Sequence, residues 1–118
     1  MTTQDLAQAF TALLKAGKSE QAGADFWADD IVSLEPMTGD MAVSTGRAAV
    51  EAKSTWWYAN HEVHKMEVEG PFPHGDQFAL IFDIEVTPKG GQRMAMREIG
   101  LYTVKDAKIV EERFFYGG

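Results

Sequence analysis

The chain has 118 residues, of which 45% are apolar, and it contains no cysteine. This length suits one domain with its own hydrophobic core, so we expect a single domain over residues 1–118. The formal charge is −7, and the scattered lysines and arginines argue against a nucleic-acid-binding surface. The absence of cysteine excludes a disulfide framework and thiolate chemistry. The sequence shows no signal-peptide pattern and no segment long enough to cross a membrane, so we expect a cytoplasmic protein without membrane contact.

The first sixty residues carry helical patterns. Between residues 6 and 14, leucine, alanine and phenylalanine recur at helical spacing, which predicts an amphipathic helix. Thr2 or Thr3 is its predicted N-cap, and Gly17 ends it. The other two predicted helices run from Glu20 to about Trp27, with Ser19 as N-cap, and from Arg47 to about Asn60, with Thr45 as N-cap.

Between the second and third helices, residues 31–35 predict a short strand that Pro36 ends, and residues 37–45 predict a loop. After residue 60 the apolar period changes from about 3.6 to 2, which predicts strands. The four predicted strands are His61–Gly70, Gln77–Thr87, Gln92–Val104 and Lys108–Tyr116. Helices followed by an antiparallel meander indicate an α+β fold with the helices on one face of the sheet.

Strand alternation predicts which side chains face the core. Pairing Val86 with Met94 across the Gly90-Gly91 turn places Glu98 on the inner face, opposite Phe82. The outer face is also apolar in its middle, and we expect a homodimer to cover it. Two registers remain open for the last strand: one points Val110, Glu112, Phe114 and Tyr116 inward, and the other points Ile109, Glu111, Arg113 and Phe115 inward.

Five strings carry a resemblance that extends over nearly the whole chain: AFTALLKAGKSE, FWADDIVSLEP, GRAAV, WWYAN and KIVEERFFYG. With the order of elements, they resemble the nuclear-transport-factor-2-like superfamily, which includes ketosteroid isomerases and SnoaL-like polyketide cyclases. The resemblance implies a single SnoaL-like domain with a cystatin-like, ketosteroid isomerase-like cone. In that fold, three N-terminal helices pack in a strongly curved, antiparallel-rich sheet and leave a pocket at the wide end. It also favours the register that points Glu112 and Phe114 inward.

The resemblance also bears on the site. Glu35 before Pro36 matches the position of the general base of ketosteroid isomerases. The two oxyanion-hole positions of those enzymes correspond to Phe10 and Gly100 here, so that mechanism lacks its donors. Limonene epoxide hydrolases, which belong to the same superfamily, place an aspartate where this chain has Phe114.

Glu98 is the sharpest candidate for chemistry. On the favoured register it lies between Phe82 and Phe114, where burial disfavours its charged form and raises its pKa. A carboxyl group of that kind can act as a general acid or base near neutral pH, with Glu35 as a second carboxylate. It can equally be a buried structural glutamate. The tyrosines that could donate to a carbonyl or enolate oxygen, or else simply fill the core, are Tyr58, Tyr102 and Tyr116.

Aromatic and methionine side chains predict an apolar pocket for a small hydrophobic or aromatic ligand, although such residues also build ordinary cores. The predicted ligand-binding residues are Phe10, Trp27, Trp56, Trp57, Tyr58, Phe82, Met94, Met96 and Phe114. His61 and His64 lie on opposite strand faces and do not predict a metal site. No nucleotide cofactor is implied. Two hypotheses follow: a cofactor-free isomerase, cyclase or dehydratase with Glu98, Glu35, Tyr102 and Tyr116 as catalytic residues, or a non-catalytic ligand-binding or dimerisation module.

Overall fold

The computed structural model describes residues 1–117, which form three helices and one six-stranded sheet. The helices are α1 (Thr3–Lys15), α2 (Ser19–Phe26) and α3 (Arg47–Asn60). The strands are β1 (Trp27–Leu34), β2 (Val43–Thr45), β3 (His61–His74), β4 (Gln77–Pro88), β5 (Met94–Lys105) and β6 (Lys108–Phe115). The predicted α+β class is therefore confirmed, with β1 and β2 lying between the second and third helices. None of the helices in this part of the chain is long and apolar enough to span a membrane.

Helix α1 begins as predicted. Thr2 is its N-cap: the Thr2 hydroxyl accepts a hydrogen bond from the Asp5 amide at 3.1 Å, and the Asp5 carboxylate accepts one from the Thr2 amide at 3.1 Å. This reciprocal pair satisfies two amide groups that a helix start leaves open. Leu6, Ala7 and Phe10 are buried, so this helix packs its apolar side into the core.

The other two predicted helix caps are wrong. Helix α2 begins one residue earlier than expected, and its N-cap is Lys18, which makes no side-chain hydrogen bond. Helix α3 has Gly46 as its N-cap, at a φ of 91°, and Thr45 belongs to strand β2 instead. A positive φ is accessible to glycine at low cost, which explains how the chain turns directly from the strand into the helix.

The first strand is longer than predicted, because it begins at Trp27 directly after α2. Two cations stabilise this junction. Arg47 donates to the backbone carbonyls of Gly23 at 3.1 Å, Ala24 at 3.2 Å and Trp27. Lys108 donates to the backbone carbonyl of Asp25 at 2.7 Å. Cations at a helix C-terminus satisfy its open carbonyl groups and oppose the negative end of the helix dipole. The segment 37–45, predicted as a loop, contributes strand β2.

The sheet order is β2-β1-β6-β5-β4-β3. All neighbours are antiparallel except β1 and β6, which run parallel. Helix α1 packs against β3 and β4, and α3 packs against β1, β2 and β3, so the helices share one face, called here the inner face. Register shifts within β3 mark bulges, which bend a strand locally.

The predicted facing of β4 and β5 is confirmed: Val86 pairs with Met94, and Phe82 pairs with Glu98. In β6, Glu112 is buried and lies opposite Tyr102, and Phe114 lies opposite Gly100, as in the favoured register. The inward orientation of Val110 is wrong, because the register shifts between Thr103 and Val104 and puts Ile109 opposite Val104. Ile109 is fully buried as a result. The strand ends at Phe115, one residue before the predicted end.

Candidate functional site

Three polar side chains line up across the inner face of the sheet. Glu112 on β6 lies directly opposite Tyr102 on β5 and directly opposite Ser33 on β1. All three are at most 5% exposed. Directly opposed residues on neighbouring strands point to the same side of a sheet, so this row forms a polar floor inside an otherwise apolar core.

Lys53 reaches this floor from helix α3. It lies three residues after the buried Val50, on the side of the helix that faces the sheet. Its ammonium group donates to the Ser33 hydroxyl and to Glu35 Oε1, the latter at 3.1 Å, and lies 5.4 Å from the centre of the Phe114 ring. The Lys53 and Glu35 side chains are only 12% and 17% exposed, so this ion pair is shielded from water.

Glu98 faces the same cluster from β5. Burial raises the pKa of its carboxyl group to about 7; the negative charge of Glu35 adds to this rise, and the positive charge of Lys53 opposes it. Burial acts in this direction because the charged form loses its hydration. Glu98 is therefore divided between acid and carboxylate at neutral pH.

Glu112 has the same property at a deeper position. Burial raises the pKa of Glu112 to about 7, Glu35 contributes in the same direction, and Lys53 and a hydrogen bond from Ser33 oppose the rise. Lys53 thus lies near three carboxyl groups, and within residues 1–117 it forms a direct ion pair with Glu35 alone. The remaining two carboxyl groups retain their protons up to near neutral pH.

The two predicted catalytic tyrosines differ in depth. Tyr102 is 2% exposed, and its ring stacks on that of Phe78 at 4.9 Å between centres. Burial, reinforced by the negative charges of Glu112, Glu98 and Glu35, raises the pKa of the Tyr102 hydroxyl. Tyr116 lies nearer the surface, and burial together with a hydrogen bond to Glu35 raises the pKa of its hydroxyl. Both therefore remain protonated donors at neutral pH.

Several predicted ligand-binding residues lie in or beside the core. Phe10 is 3% exposed and contacts the Tyr102 ring edge-to-face at 5.2 Å, and Phe82 is 6% exposed. Met96 and Phe114 are partly buried against the same core. Their role in binding a ligand remains a prediction.

Other predicted ligand-binding residues lie at the surface. Trp56, Tyr58 and Met94 are 53%, 44% and 46% exposed. Trp57 stacks on the His61 ring at 4.5 Å, and the His61 Nδ1 atom is 2.8 Å from the Trp57 carbonyl oxygen. Trp57 itself is partly buried against the core, but it makes none of the hydrogen bonds around Lys53 described for residues 1–117.

The remaining histidine of the HEVH string has a local partner, since His64 Nε2 lies 2.7 Å from the Thr87 hydroxyl. Residues 1–117 contain no cluster of three or more histidine, aspartate or glutamate side chains arranged to hold a metal ion.

Trp27 borders a cleft of about 350 Å³ on another side of the molecule. Asp29, Arg47 and Lys108 also line this cleft, and the two cations bind the carbonyl groups at the end of α2. The indole nitrogen of Trp27 is buried and has no hydrogen-bond partner in the described part of the chain. Trp27 thus lies at the edge of the helix junction, and its assignment to a ligand pocket remains a prediction.

The structure brings all four predicted catalytic residues into one electrostatic cluster: Glu35 pairs with Lys53, and its charge raises the pKa of Glu98, Tyr102 and Tyr116. Lys53 and Ser33 were not predicted as site residues, and Glu112 was predicted only to face inward. Lys53 had a signal: it interrupts the helical stripe that Val50 and Trp57 continue. A lysine in an apolar stripe predicts a buried cation and therefore a nearby carboxylate.

A scan against family models matches the SnoaL-like domain over residues 1–116. The chain belongs to the SnoaL-like domain family. This confirms the resemblance found in the sequence. A search of curated proteins gave no match.

Solved structures agree with the family assignment. A Mesorhizobium loti protein provisionally described as a SnoaL-like polyketide cyclase, with carbohydrate phosphatase in brackets, is 56% identical and has a TM-score of 0.96. The match covers 98% of this chain and 100% of that one. A cystatin-like protein of unknown function from Xanthomonas campestris (18% identity, TM-score 0.79, 100% and 92% coverage) shares the fold. So does a provisionally assigned isomerase from Bacillus subtilis (13% identity, TM-score 0.79, 99% and 90% coverage).

Proposed function

We propose that this SnoaL-like protein is a cofactor-free isomerase, cyclase or dehydratase that moves a proton next to the carbonyl group of a hydrophobic substrate. The observation that carries the proposal is the position of Glu98, a largely buried carboxyl group beside the Lys53–Glu35 pair with a pKa of about 7. A general acid or base is most effective when its pKa lies near the working pH.

Each polar group of the cluster has a part in this chemistry. The Glu98 carboxylate takes a proton from the carbon next to the carbonyl group, and the bonding electrons move to the carbonyl oxygen as an enolate forms. The Lys53 ammonium donates a hydrogen bond to that oxygen, and the Tyr116 hydroxyl does so once it turns from Glu35 to the substrate. Protonated Glu98 then returns the proton to a different atom of the substrate, or to a leaving hydroxyl group in a dehydration.

The charges of the cluster favour a neutral substrate. Lys53 and Glu35 offset each other, and Glu98 and Glu112 are partly protonated at pH 7. An anionic ligand would meet additional negative charge as Glu98 ionises, and the molecule as a whole carries −7. The apolar surfaces on the inner face, Phe82 and Phe114, suit a ring or an aliphatic chain.

The test needs no knowledge of the natural substrate. 2-Tetralone is a small hydrophobic ketone with exchangeable protons next to its carbonyl group, and NMR in D₂O measures how fast they are replaced. We expect the wild type to accelerate this exchange, with a rate that rises through about pH 7 and levels off above it as Glu98 ionises. E98Q is expected to lose about 100-fold or more of this acceleration.

E85Q is the matched control, because Glu85 lies on the outer face of β4 and pairs with Arg93 at 3.5 Å. It is expected to exchange 2-tetralone at the wild-type rate. Equal rates for E98Q and the wild type would refute the assignment of Glu98.

A second candidate function is a non-catalytic module that binds a hydrophobic ligand. It is favoured by the way Phe10, Phe78 and Tyr102 fill the inner core with their own rings. In that case 2-naphthol, a flat phenol that resembles an enolate, would bind while 2-tetralone exchange stayed at the buffer rate. Fluorescence titration with 2-naphthol, run beside the exchange assay, separates the two functions.

We also propose that the protein forms a homodimer through the outer face of the sheet. Ile99 and Phe115 are neighbours on this face and are 44% and 47% exposed, and Ile81 lies beside Ile99. A second copy would remove this apolar surface from water. Size-exclusion chromatography with light scattering should give twice the 13.1 kDa mass of the chain, and a monomer at micromolar concentration would refute this.

A further inference from the structure

The polar side chains around Lys53 form a continuous group that extends from the buried floor toward the surface. Lys53 donates to the Ser33 hydroxyl and to Glu35 Oε1, the latter at 3.1 Å. Ser33 lies directly opposite Glu112 on the neighbouring strand, so the two side chains share the inner face of the sheet. The group joins β6, β1 and α3, and Ser33 and Glu112 are its most buried members, at 0% and 5% exposed.

Glu112 lies too deep to touch a substrate. It is 5% exposed, and both neighbouring strands cover its flanks, with Tyr102 on one side and Ser33 on the other. Glu112 can therefore influence the reaction only through the groups it contacts or through its charge. Ser33 is the group that links it to Lys53.

The proposed reaction does not itself require a carboxyl group at position 112. A buried carboxyl group is costly unless it is hydrogen-bonded, and an apolar residue of similar size would avoid that cost. A buried polar network that is fully bonded restrains its members to one arrangement. The Lys53 ammonium group lies at the end of a long, flexible side chain. A second hydrogen-bond partner besides Glu35, here Ser33, therefore restricts where that group lies.

We propose that Glu112 is a positioning residue: through Ser33 it fixes the Lys53 ammonium group against Glu35 and so sets the geometry of the proposed proton-transfer site. This inference rests on the proposed function for its catalytic consequence, while the positioning of Lys53 can be measured without any substrate. Ser33 carries the effect, because its hydroxyl accepts from Lys53 and its side chain lies directly opposite Glu112.

The first experiment measures the reactivity of Lys53. Acetylation by N-hydroxysuccinimide acetate, followed by mass spectrometry of peptides, reports how firmly each lysine amine is held. Wild type and E112Q, whose amide oxygen can still accept from Ser33, are expected to protect Lys53. E112L and S33A are expected to acetylate it several-fold faster, and E111Q, on the opposite face of β6, should behave as wild type.

The second experiment distinguishes positioning from simple structural support. Leucine at position 112 removes a buried acid, so E112L is expected to unfold at the same or a higher temperature than the wild type at pH 8. Its 2-tetralone exchange is nevertheless expected to fall about tenfold or more in kcat with little change in KM, because a misplaced group costs rate rather than binding. E112Q should retain more of the rate than E112L.

The double variant S33A/E112L tests the route. If Ser33 carries the effect, the double variant should acetylate Lys53 and exchange 2-tetralone at the rates of the single variants, without further change. Additive effects would overturn the proposed route.

Unchanged Lys53 acetylation in E112L and S33A would overturn the positioning role, whatever the exchange assay shows. A wild type that exchanges no 2-tetralone would count against the proposed function only, because faster acetylation in E112L and S33A would still support positioning. Faster acetylation with an unchanged exchange rate in E112L would overturn the link from position to catalysis.

Discussion

Strand β5 carries adjacent charged residues on opposite faces, and they lie in very different surroundings. Arg97 points outward, is 63% exposed, and lies 3.5 Å from both Asp83 and Glu69. Glu98 points inward, where burial and Glu35 raise its pKa to about 7. A shift of one position along a strand therefore decides whether a charge is screened by water or kept in an apolar interior. Charged side chains on the inner face can therefore take part in acid–base chemistry, whereas those on the outer face remain solvated surface groups.

The largest expected effect comes from removing Lys53, the cation that pairs with Glu35 in the inner cluster. K53M leaves Glu35 buried without its partner, and breaking a buried pair in this way costs about 3–5 kcal/mol of unfolding free energy. Urea unfolding of K53M and wild type at pH 7 measures this loss of unfolding free energy. The matched control is K65M, which removes the exposed Lys65–Glu67 pair and should change stability by about 0.5 kcal/mol or less. Equal losses in the two variants would remove the distinction between the faces.

The next effect depends on pH. The folded-state pKa of Glu112 is raised to about 7 from an unfolded value of 4.5, so the folded protein holds a proton that the unfolded chain loses. The contribution of Glu112 to the free energy of unfolding is therefore greatest below about pH 4.5, and it decreases as the pH rises through about 7. E112Q cannot lose a proton, so it should be the more stable protein at pH 8, by up to about 3 kcal/mol.

Thermal unfolding at pH 5 and pH 8 compares E112Q with wild type, and E111Q on the outer side serves as control. We expect the difference between E112Q and wild type to grow from pH 5 to pH 8, and the E111Q difference to stay constant. A pH-independent difference for E112Q would contradict the raised pKa.

A close contact on the inner face gives a smaller effect. A Cβ atom at Gly100 would lie 2.9 Å from the Tyr102 ring and 3.1 Å from that of Phe82. G100A therefore overpacks the core and should cost about 1–3 kcal/mol. G91A, in the exposed turn before β5, is the control with a nearest contact of 3.3 Å to Pro88. If urea unfolding showed a larger loss of unfolding free energy for G91A than for G100A, the close packing at Gly100 would be refuted.

The smallest effect belongs to the outer face. R97M removes two exposed ion pairs at 3.5 Å, and such pairs contribute about 0–1 kcal/mol. We expect a change of unfolding free energy below about 0.5 kcal/mol per pair, and a smaller one in high salt. A loss comparable with that of K53M would show that the outer charges are not ordinary surface groups.

Much of this fold could be predicted from the sequence because alternation in the strands is regular. Opposed pairs such as Phe82 with Glu98 follow directly from the Gly90-Gly91 turn. The bulge at Val110 could not be predicted, since one additional residue in a strand changes no local pattern. The three residues of β2 were too few to give a period at all.

The site was only partly predictable. Glu98 was predicted from its position opposite Phe82, and Glu35 from its match to the general base of ketosteroid isomerases, but Lys53 lies on a helix eighteen residues after its partner Glu35. Lys53 was hidden because a lysine in a helix is ordinary and only its place between Val50 and Trp57 marks it. Glu112 was predicted to face inward, while its link to Ser33 depends on the parallel pairing of β1 with β6, which no local pattern reveals.

The raised pKa values of the two inner glutamates are tested most directly by a carboxyl titration by NMR with ¹³C-labelled glutamate. Resonances are assigned by their loss in E98Q, E112Q and E85Q. We expect Glu98 and Glu112 to titrate with midpoints near 7. Midpoints between 4 and 5 for both inner groups, near the ordinary glutamate value of about 4.3, would contradict it.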